Sequence, residues 1–359
     1  MKKKVLHLVE YLYLGGIERL LEQLAIHSND HTELHFFTYE TTELKGIGKE
    51  IKDRGFPVTT YKKSEGRDWK LVFKLIDYIK TNKIDAIHTH DFGPIEYAVI
   101  LKMRFPFLKL IHTQHTMHHF VVHKHYRWFF QFASYFYSSI IGVSQFVIDG
   151  IVKDCPLTKK SALTVIYNGV DIDLFKRTID VNNYHHQLKL VSVARISNEK
   201  NLLYLFNTVR LLKAEKVPVV LHHAGTGKTE QIINVLKNYI RDHQLENEII
   251  MHGFCNDAKS ILDLGDIFVS SSKREGHPVA LIEAMSCEKL CFCSDIPPHR
   301  ETLEDSQYLY NVEDEYALFH LLKNHYEANN TKAYYPELRD LVVKNYSIDK
   351  MVINYENVY

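Results

Sequence analysis

Glu275-Gly276-His277-Pro278-Val279-Ala280-Leu281-Ile282-Glu283-Ala284-Met285 joins two carboxylates, a turn and a helix start in eleven residues. Before it, Asp266-Ile267-Phe268-Val269-Ser270-Ser271 is a short apolar run of the kind found in buried parallel strands. Gly276 and Pro278 end that strand. Val279, Ala280, Leu281, Ile282, Ala284 and Met285 then suit a buried helix with Pro278 at its first turn. A strand, loop and helix in this order leave unpaired N–H groups of the helix start facing the loop, where they attract phosphate. Glu275 before the helix and Glu283 inside it would then address one ligand from two sides, as acceptors for sugar hydroxyls. From spacing alone, two surface acids on an ordinary strand-to-helix connection fit equally well.

Outward from this stretch, the second half of the chain alternates strands and helices. Lys189 to Ala194, Val217 to His223, Glu248 to His252, Ile267 to Ser271 and Leu290 to Ser294 suit strands, with Leu202 to Lys216 and Thr229 to His243 as helices between them. The first half does the same from Val5 to Val9 onward, through Leu34 to Tyr39, Val58 to Tyr61, Asp85 to His88, Leu110 to Thr113, Ile140 to Val143 and Leu163 to Tyr167. Such alternation means parallel sheets with helices on both faces. The pattern pauses at Asn168-Gly169-Val170-Asp171 and a polar stretch to Gln187. We therefore expect an N-terminal Rossmann-like domain over 1–170, a linker over 171–187 and a C-terminal Rossmann-like domain over 188–340. A C-terminal helix over 341–359 is expected to pack back on the N-terminal domain. Two doubly wound α/β domains put ligand sites at the carboxyl ends of both sheets, with the cleft between them as the expected active site.

The chain has 359 residues with no net charge, but residues 1–170 hold 23 Lys and Arg against 17 Asp and Glu. A basic N-terminal half suits an anionic lipid surface or an anionic substrate. No basic block with interleaved aromatics points to nucleic acid. Five cysteines and no secretory apolar segment favour a reducing, cytoplasmic setting. Cys287, Cys291 and Cys293 crowd together, with core packing favoured over a metal site. The stretch most suggestive of a membrane, Trp128 to Val143, is interrupted by Gln131, Ser134, Ser138 and Ser139 and falls short of about 20 apolar residues.

Three loops carry further chemistry. Gly15-Gly16 after the first strand permits close approach of a phosphate or sugar, or a turn with positive φ. Arg195 and Lys200 lie five residues apart after a strand and suit a pyrophosphate without a metal ion. Gly227-Lys228-Thr229 resembles the end of a nucleotide-binding phosphate loop, but His222 stands where that loop needs its first glycine. Among 22 histidines, several cluster at His88-Thr89-His90 and from His112 to His125, without a Cys pair or His-Glu-x-x-His helix to argue for zinc. His115 ends a strand, where it can bond a sugar hydroxyl or carry a proton.

Taken together, these residues resemble the family 4 retaining glycosyltransferases, nucleotide-sugar enzymes of the GT-B fold. The resemblance is carried by the Glu275 to Glu283 element, with Gly15-Gly16-Ile17-Glu18, His115, Asn168-Gly169-Val170-Asp171, Arg195 with Lys200, Gly225 with Gly227, and Glu301 in the family's order. It implies a GT-B fold of two Rossmann-like domains facing each other across a cleft. It also implies a catalytic set of His115, Glu275, Arg195 and Lys200. Arg195 and Lys200 would hold the donor diphosphate, Glu283 the ribose and Glu275 the transferred sugar. Gly15, Gly16, Gly225, Gly276, Pro278, Val279 and Ala280 would complete the donor site.

The activity so implied is metal-independent, cofactor-free, retaining transfer of a hexosyl or N-acetylhexosaminyl group from a nucleotide-sugar, taken to be a UDP-sugar. The acceptor would be a saccharide or lipid-linked saccharide in surface polysaccharide synthesis, in the cytoplasm at the inner face of the cell membrane. A GT-B epimerase acting on a UDP-sugar and a phosphate-loop nucleotidase are the alternatives. His277 stands where the family commonly has an aromatic, and Glu288-Lys289-Leu290 where it has Gly-x-Pro. The first departure points to His277 as a residue for donor choice.

Overall fold

The computed structural model describes residues 2–13, 15–29, 31–117, 120, 124–178, 187–227, 229–328 and 334–359. The chain divides into two compact units, Met1–Gly169 with Ile348–Tyr359, and Val170–Ser347. Both are parallel sheets wrapped by helices, so the α/β reading of the alternating pattern is the observed architecture.

In unit 1, strands β1 (Lys3–Val9), β2 (Thr32–Thr38), β3 (Glu40–Thr41), β4 (Val58–Lys62), β5 (Ala86–His90), β6 (Lys109–Gln114), β7 (Ser139–Gly142) and β8 (Leu163–Val165) form one sheet. Their order is β3-β4-β2-β1-β5-β6-β7-β8, parallel except for the β3–β4 pair. The chain builds outward from β1 to one side, then returns to lay β5 on the other. Helix α1 (Gly16–His27) follows β1. The two faces are visible in β1 itself: Leu6 and Leu8 enter one apolar cluster, Val5 and Val9 the other.

The helix Ile348–Val358 covers the second face, inserting Ile348, Met351, Val352 and Tyr355 beside Val5, Leu21 and Ile111. Each such apolar side chain contributes about 1.5–3 kcal/mol on full burial. The expected tail helix over 341–359 is two helices, Pro336–Asn345 in unit 2 and Ile348–Val358 in unit 1. Proline favours the first turn of the former, and Val170 pairs with Ser347 between them.

In unit 2, β9 (Leu188–Val193), β10 (Val219–Ala224), β11 (Ile249–Gly253), β12 (Ile267–Ser270), β13 (Leu290–Ser294) and β14 (Leu309–Tyr310) are ordered β11-β10-β9-β12-β13-β14, all parallel. The strand order reverses between β9 and β12, and ligands of open α/β sheets bind outside the carboxyl ends at such a reversal. The Arg195–Lys200 loop follows β9, and the Glu275 loop follows β12. Residues 179–186 of the expected linker lie outside the described residues.

The three clustered cysteines are buried, and burial pushes the Cys287 thiol up to about 11, the opposite of what a thiolate metal ligand needs. Trp128 to Val143 forms the end of a helix, Lys124–Ser134, and then β7. No helix among the described residues is long and apolar enough to cross a membrane.

Candidate functional site

The predicted site residues lie at or beyond the carboxyl ends of strands in both units. In unit 2 a short 3-10 turn, Asn198–Lys200, closes with Asn201 at φ +51, a conformation asparagine tolerates better than most residues. The turn brings Lys200 to the neighbouring strand's loop, where its Nζ lies 2.5 Å from Glu275 Oε1. Ser272 Oγ donates to the same oxygen at 2.7 Å. The two loops are stitched along their backbones as well. Ser271 Oγ donates to the carbonyls of Lys200 and Asn201, and the Lys273 N–H donates to the Glu199 carbonyl. From behind, Ser294 Oγ donates to the Ser272 carbonyl and Tyr310 OH to that of Ser270.

Burial pushes the Glu275 carboxyl up, but Lys200, His299 and the hydrogen bonds from Lys200 and Ser272 outweigh it, and the net shift is downward. Glu275 is therefore ionised at neutral pH. Its Oε2 makes no hydrogen bond to a described residue and is left to accept from a ligand.

Arg195 is exposed, and no ion pair ties it to a described residue. Its backbone, by contrast, is held on both sides, with the Ala194 N–H donating to the Ala224 carbonyl and the Ile196 N–H to that of Thr226. Gly225 is required here. Its φ is +146, and a Cβ would stand 1.8 Å from the Ala194 carbonyl oxygen. Lys228, on which the phosphate-loop alternative turns, lies outside the described residues.

The helix after the motif is Val279–Ser286, and its start offers less to an anion than the sequence suggests. The Val279 N–H is taken by the His277 carbonyl and the Leu281 N–H by that of Pro278. Among the first three positions only the Ala280 N–H has no acceptor among the described residues. Gly276 is half-buried in the loop, and Glu283 half-buried within the helix. His277, in the same loop, is 7% exposed, its ring lies against Tyr346, and burial pulls its pKa down to about 3.

In unit 1, Gly15 caps helix α1 with extended φ of 162°, and its carbonyl accepts from the Arg19 N–H. Neither glycine of the pair lies in the left-handed region, so turn geometry does not demand them. A Cβ on Gly16 would meet nothing within 4 Å. His115 follows β6, its backbone N–H donating to Asp91 Oδ1 and its Nε2 lying 3.1 Å from His90 Nδ1. Asp91 holds that bond from φ +54. Burial pushes the Asp91 carboxyl up to about 7 and pulls His115 down to about 3. The only described cluster with metal-ligand spacing is His7, His88 and His90. His118, His119 and His123 lie outside the described residues.

The family described as Glycosyltransferase Family 4 matches residues 14–174, and Glycosyl transferases group 1 matches residues 177–335. The chain is a family 4 glycosyltransferase of the GT-B fold.

Relatives of this glycosyltransferase include the Escherichia coli UDP-Gal:alpha-D-GlcNAc-diphosphoundecaprenol alpha-1,3-galactosyltransferase, 24% identical over 82% of this chain and 80% of the relative. The Staphylococcus aureus capsular polysaccharide biosynthesis glycosyltransferase CapH is 22% identical over 85% and 84%. Among solved structures, Anabaena HepE in complex with UDP superposes with a TM-score of 0.83 at 18% identity, over 99% of both chains.

Of the predicted residues, the glycosyltransferase fold brings Lys200 and Glu275 into contact and sets the Arg195 and Gly225 loops side by side. Sequence reasoning missed Ser272 and His299. His299 is buried, and its Nδ1 bonds the Ser294 carbonyl at 2.8 Å. Its position just past β13, two residues before Glu301, was the available signal.

Proposed function

We propose that this glycosyltransferase moves a hexosyl or N-acetylhexosaminyl group from a UDP-sugar to a saccharide or lipid-linked saccharide acceptor, with retention and without a metal ion, in surface polysaccharide assembly. The observation that carries the reading is the Lys200–Glu275 pair, a cation and an ionised carboxylate joined at the sheet reversal, with Glu275 Oε2 left for a sugar hydroxyl. The names of the relatives support the substrate classes: one takes UDP-Gal and a diphosphoundecaprenol-linked sugar, another serves capsular polysaccharide. HepE supports a uridine donor.

In the proposed step the bond from the anomeric carbon to the diphosphate breaks and the acceptor oxygen bonds that carbon on the same face. The acceptor's proton passes to a departing diphosphate oxygen. Charge accumulates on the diphosphate, so fixed cations stabilise the transition state more than the bound donor. Arg195, free of ion pairs with described residues, and Lys200 supply that charge, and the Ala280 N–H donates to the same diphosphate. Glu283 takes the ribose, Glu275 the transferred sugar. On unit 1, His115 is assigned to the sugar and Gly15 and Gly16 to the donor phosphates. The site of action is the cytoplasmic face of the membrane.

Incubation with UDP-sugars and a polyprenyl-diphosphate-linked saccharide, in chelator, tests the reading. A product whose new linkage keeps the donor's anomeric configuration is expected. Release of UDP without a glycosylated product, an inverted linkage, or activity that returns only with added Mg²⁺ or Mn²⁺ contradicts it.

A further inference from the structure

Behind His115 a line of buried polar groups runs into unit 1. His90 Nδ1 faces His115 Nε2 at 3.1 Å, and His90 Nε2 faces His7 Nδ1 at 3.0 Å. Tyr359 OH then lies 3.3 Å from His7 Nε2 and 3.2 Å from His88 Nδ1. His88 Nε2 contacts Thr113 Oγ1 at 2.7 Å, and Tyr355 OH ends the line 3.5 Å from that oxygen. The alternation of β1 and β5 explains the meeting. His7, His88 and His90 project to the face covered by helix Ile348–Val358, which brings Tyr355 and Tyr359 to them. Every member behind His115 is at most 2% exposed.

A neutral imidazole has one donor and one acceptor nitrogen, so the line polarises as a whole in one of two directions. If His115 donated inward from Nε2, each group would pass its proton on towards Thr113, and Thr113 would donate to Tyr355. The buried Tyr355 hydroxyl hydrogen would then have no acceptor among the described residues. In the opposite direction Tyr355 donates to Thr113, Thr113 to His88, His88 to Tyr359, Tyr359 to His7, His7 to His90 and His90 to His115. Every hydrogen within the line is then satisfied, which decides the direction because a buried unpaired donor is costly. Burial also keeps these rings uncharged, pulling His7 down to about 3.

We propose that Tyr359 and the histidines behind His115 are positioning residues that lock His115 as its Nδ1–H tautomer, so that it offers a hydrogen-bond donor to an oxygen of the bound donor sugar and does not serve as a base. The proposal rests on the assignment of His115 to that sugar. His7, His88 and His90 could also suggest a metal, since their ligand atoms lie within 4.8 Å of one another. All six ring nitrogens are already hydrogen-bonded, however, and an ion would have to displace the His7–His90 bond.

Histidine-selective 15N NMR of the full chain at neutral pH reads the tautomer directly. His115 is expected to be protonated at Nδ1 and bare at Nε2. An Nε2–H tautomer, an imidazolium, or stoichiometric zinc in the purified protein overturns the proposal. Tyr359→Phe is expected to move His115 towards Nε2–H and to lower kcat/KM for the donor about tenfold, the loss of roughly one hydrogen bond. Tyr355→Phe, at the far end, leaves the Thr113 hydroxyl no acceptor but His88 Nε2, so His115 is expected to stay Nδ1–H in it, and a shift to Nε2–H there overturns the proposed direction even if Tyr359→Phe does not fold. In a His115→Ala background either substitution should cost less than twofold, whereas a merely structural role gives additive losses. Full donor turnover in His115→Ala alone would defeat the assignment of His115 to the sugar, and the tautomer measurement separates that failure from failure of the hydrogen-bonded line.

Discussion

Glu275 and Lys200 are 75 positions apart in sequence, yet the adjacency of β9 and β12 brings their side chains into contact. Glu275→Gln keeps the size of the side chain and removes the charge, leaving Lys200 without its counter-ion. Turnover should fall about 10²–10³-fold, as it does when one electrostatic contact to a transition state is lost, while circular dichroism stays native. Arg195→Ala, on an exposed side chain, should lower kcat/KM without a change in melting temperature. Gly225→Ala belongs to a different class. With φ +146 and the Ala194 carbonyl in the way, it should destabilise unit 2 by about 1–3 kcal/mol in denaturant titrations and displace the Arg195 loop. The glycine pair after β1 reads differently, because a side chain at Gly16 would meet open space. Gly16→Ala should leave stability unchanged within about 0.5 kcal/mol and act, if anywhere, on donor affinity.

At the level of elements, strands and helices were legible because their apolar periods are strong, and the Glu275 to Glu283 stretch was legible because Gly276 and Pro278 punctuate it. What sequence could not supply was partnership. His7, His88, His90 and Tyr359 come from three distant segments, and nothing local says that they share a face. Nor does local pattern say that Asn345 ends one helix and Ile348 starts another in the other unit. That last helix is a structural part of unit 1: Met351→Ala should cost about 2–5 kcal/mol in chemical unfolding. The aromatic stretch after Lys124 has a second reading at this scale. Trp128 and Phe107 are exposed, whereas Phe105 and Phe129 pack on the core and Lys102 is bound to the Pro106 and Leu108 carbonyls. If Trp128 and Phe107 meet lipid, flotation with anionic liposomes should weaken in high salt and in Trp128→Ala; binding insensitive to both removes this face from membrane contact.

Across the whole molecule, buried histidine is the dominant acid-sensitive feature. Burial pulls His7, His115 and His277 down to about 3, and His112 and His223 to about 4. The unfolded chain binds these protons near pH 6.5 and the folded chain does not, so stability is full above that pH and is lost as pH falls from 6.5 towards 4. Glu275, shifted down, adds a loss below the ordinary carboxylate range. Melting temperature should therefore drop steeply between pH 6.5 and 4, and a flat profile there would show that these rings are hydrated or charged in the fold. The most direct test of the central claim is a thermal-shift panel of UDP-, GDP- and ADP-sugars in chelator, run on the wild type and on Lys200→Ala, since a ligand that binds only the folded state raises its stability. A rise with UDP-sugars alone, lost in Lys200→Ala, is the predicted result. No rise with any nucleotide-sugar, or a rise that Lys200→Ala leaves intact, would contradict the account.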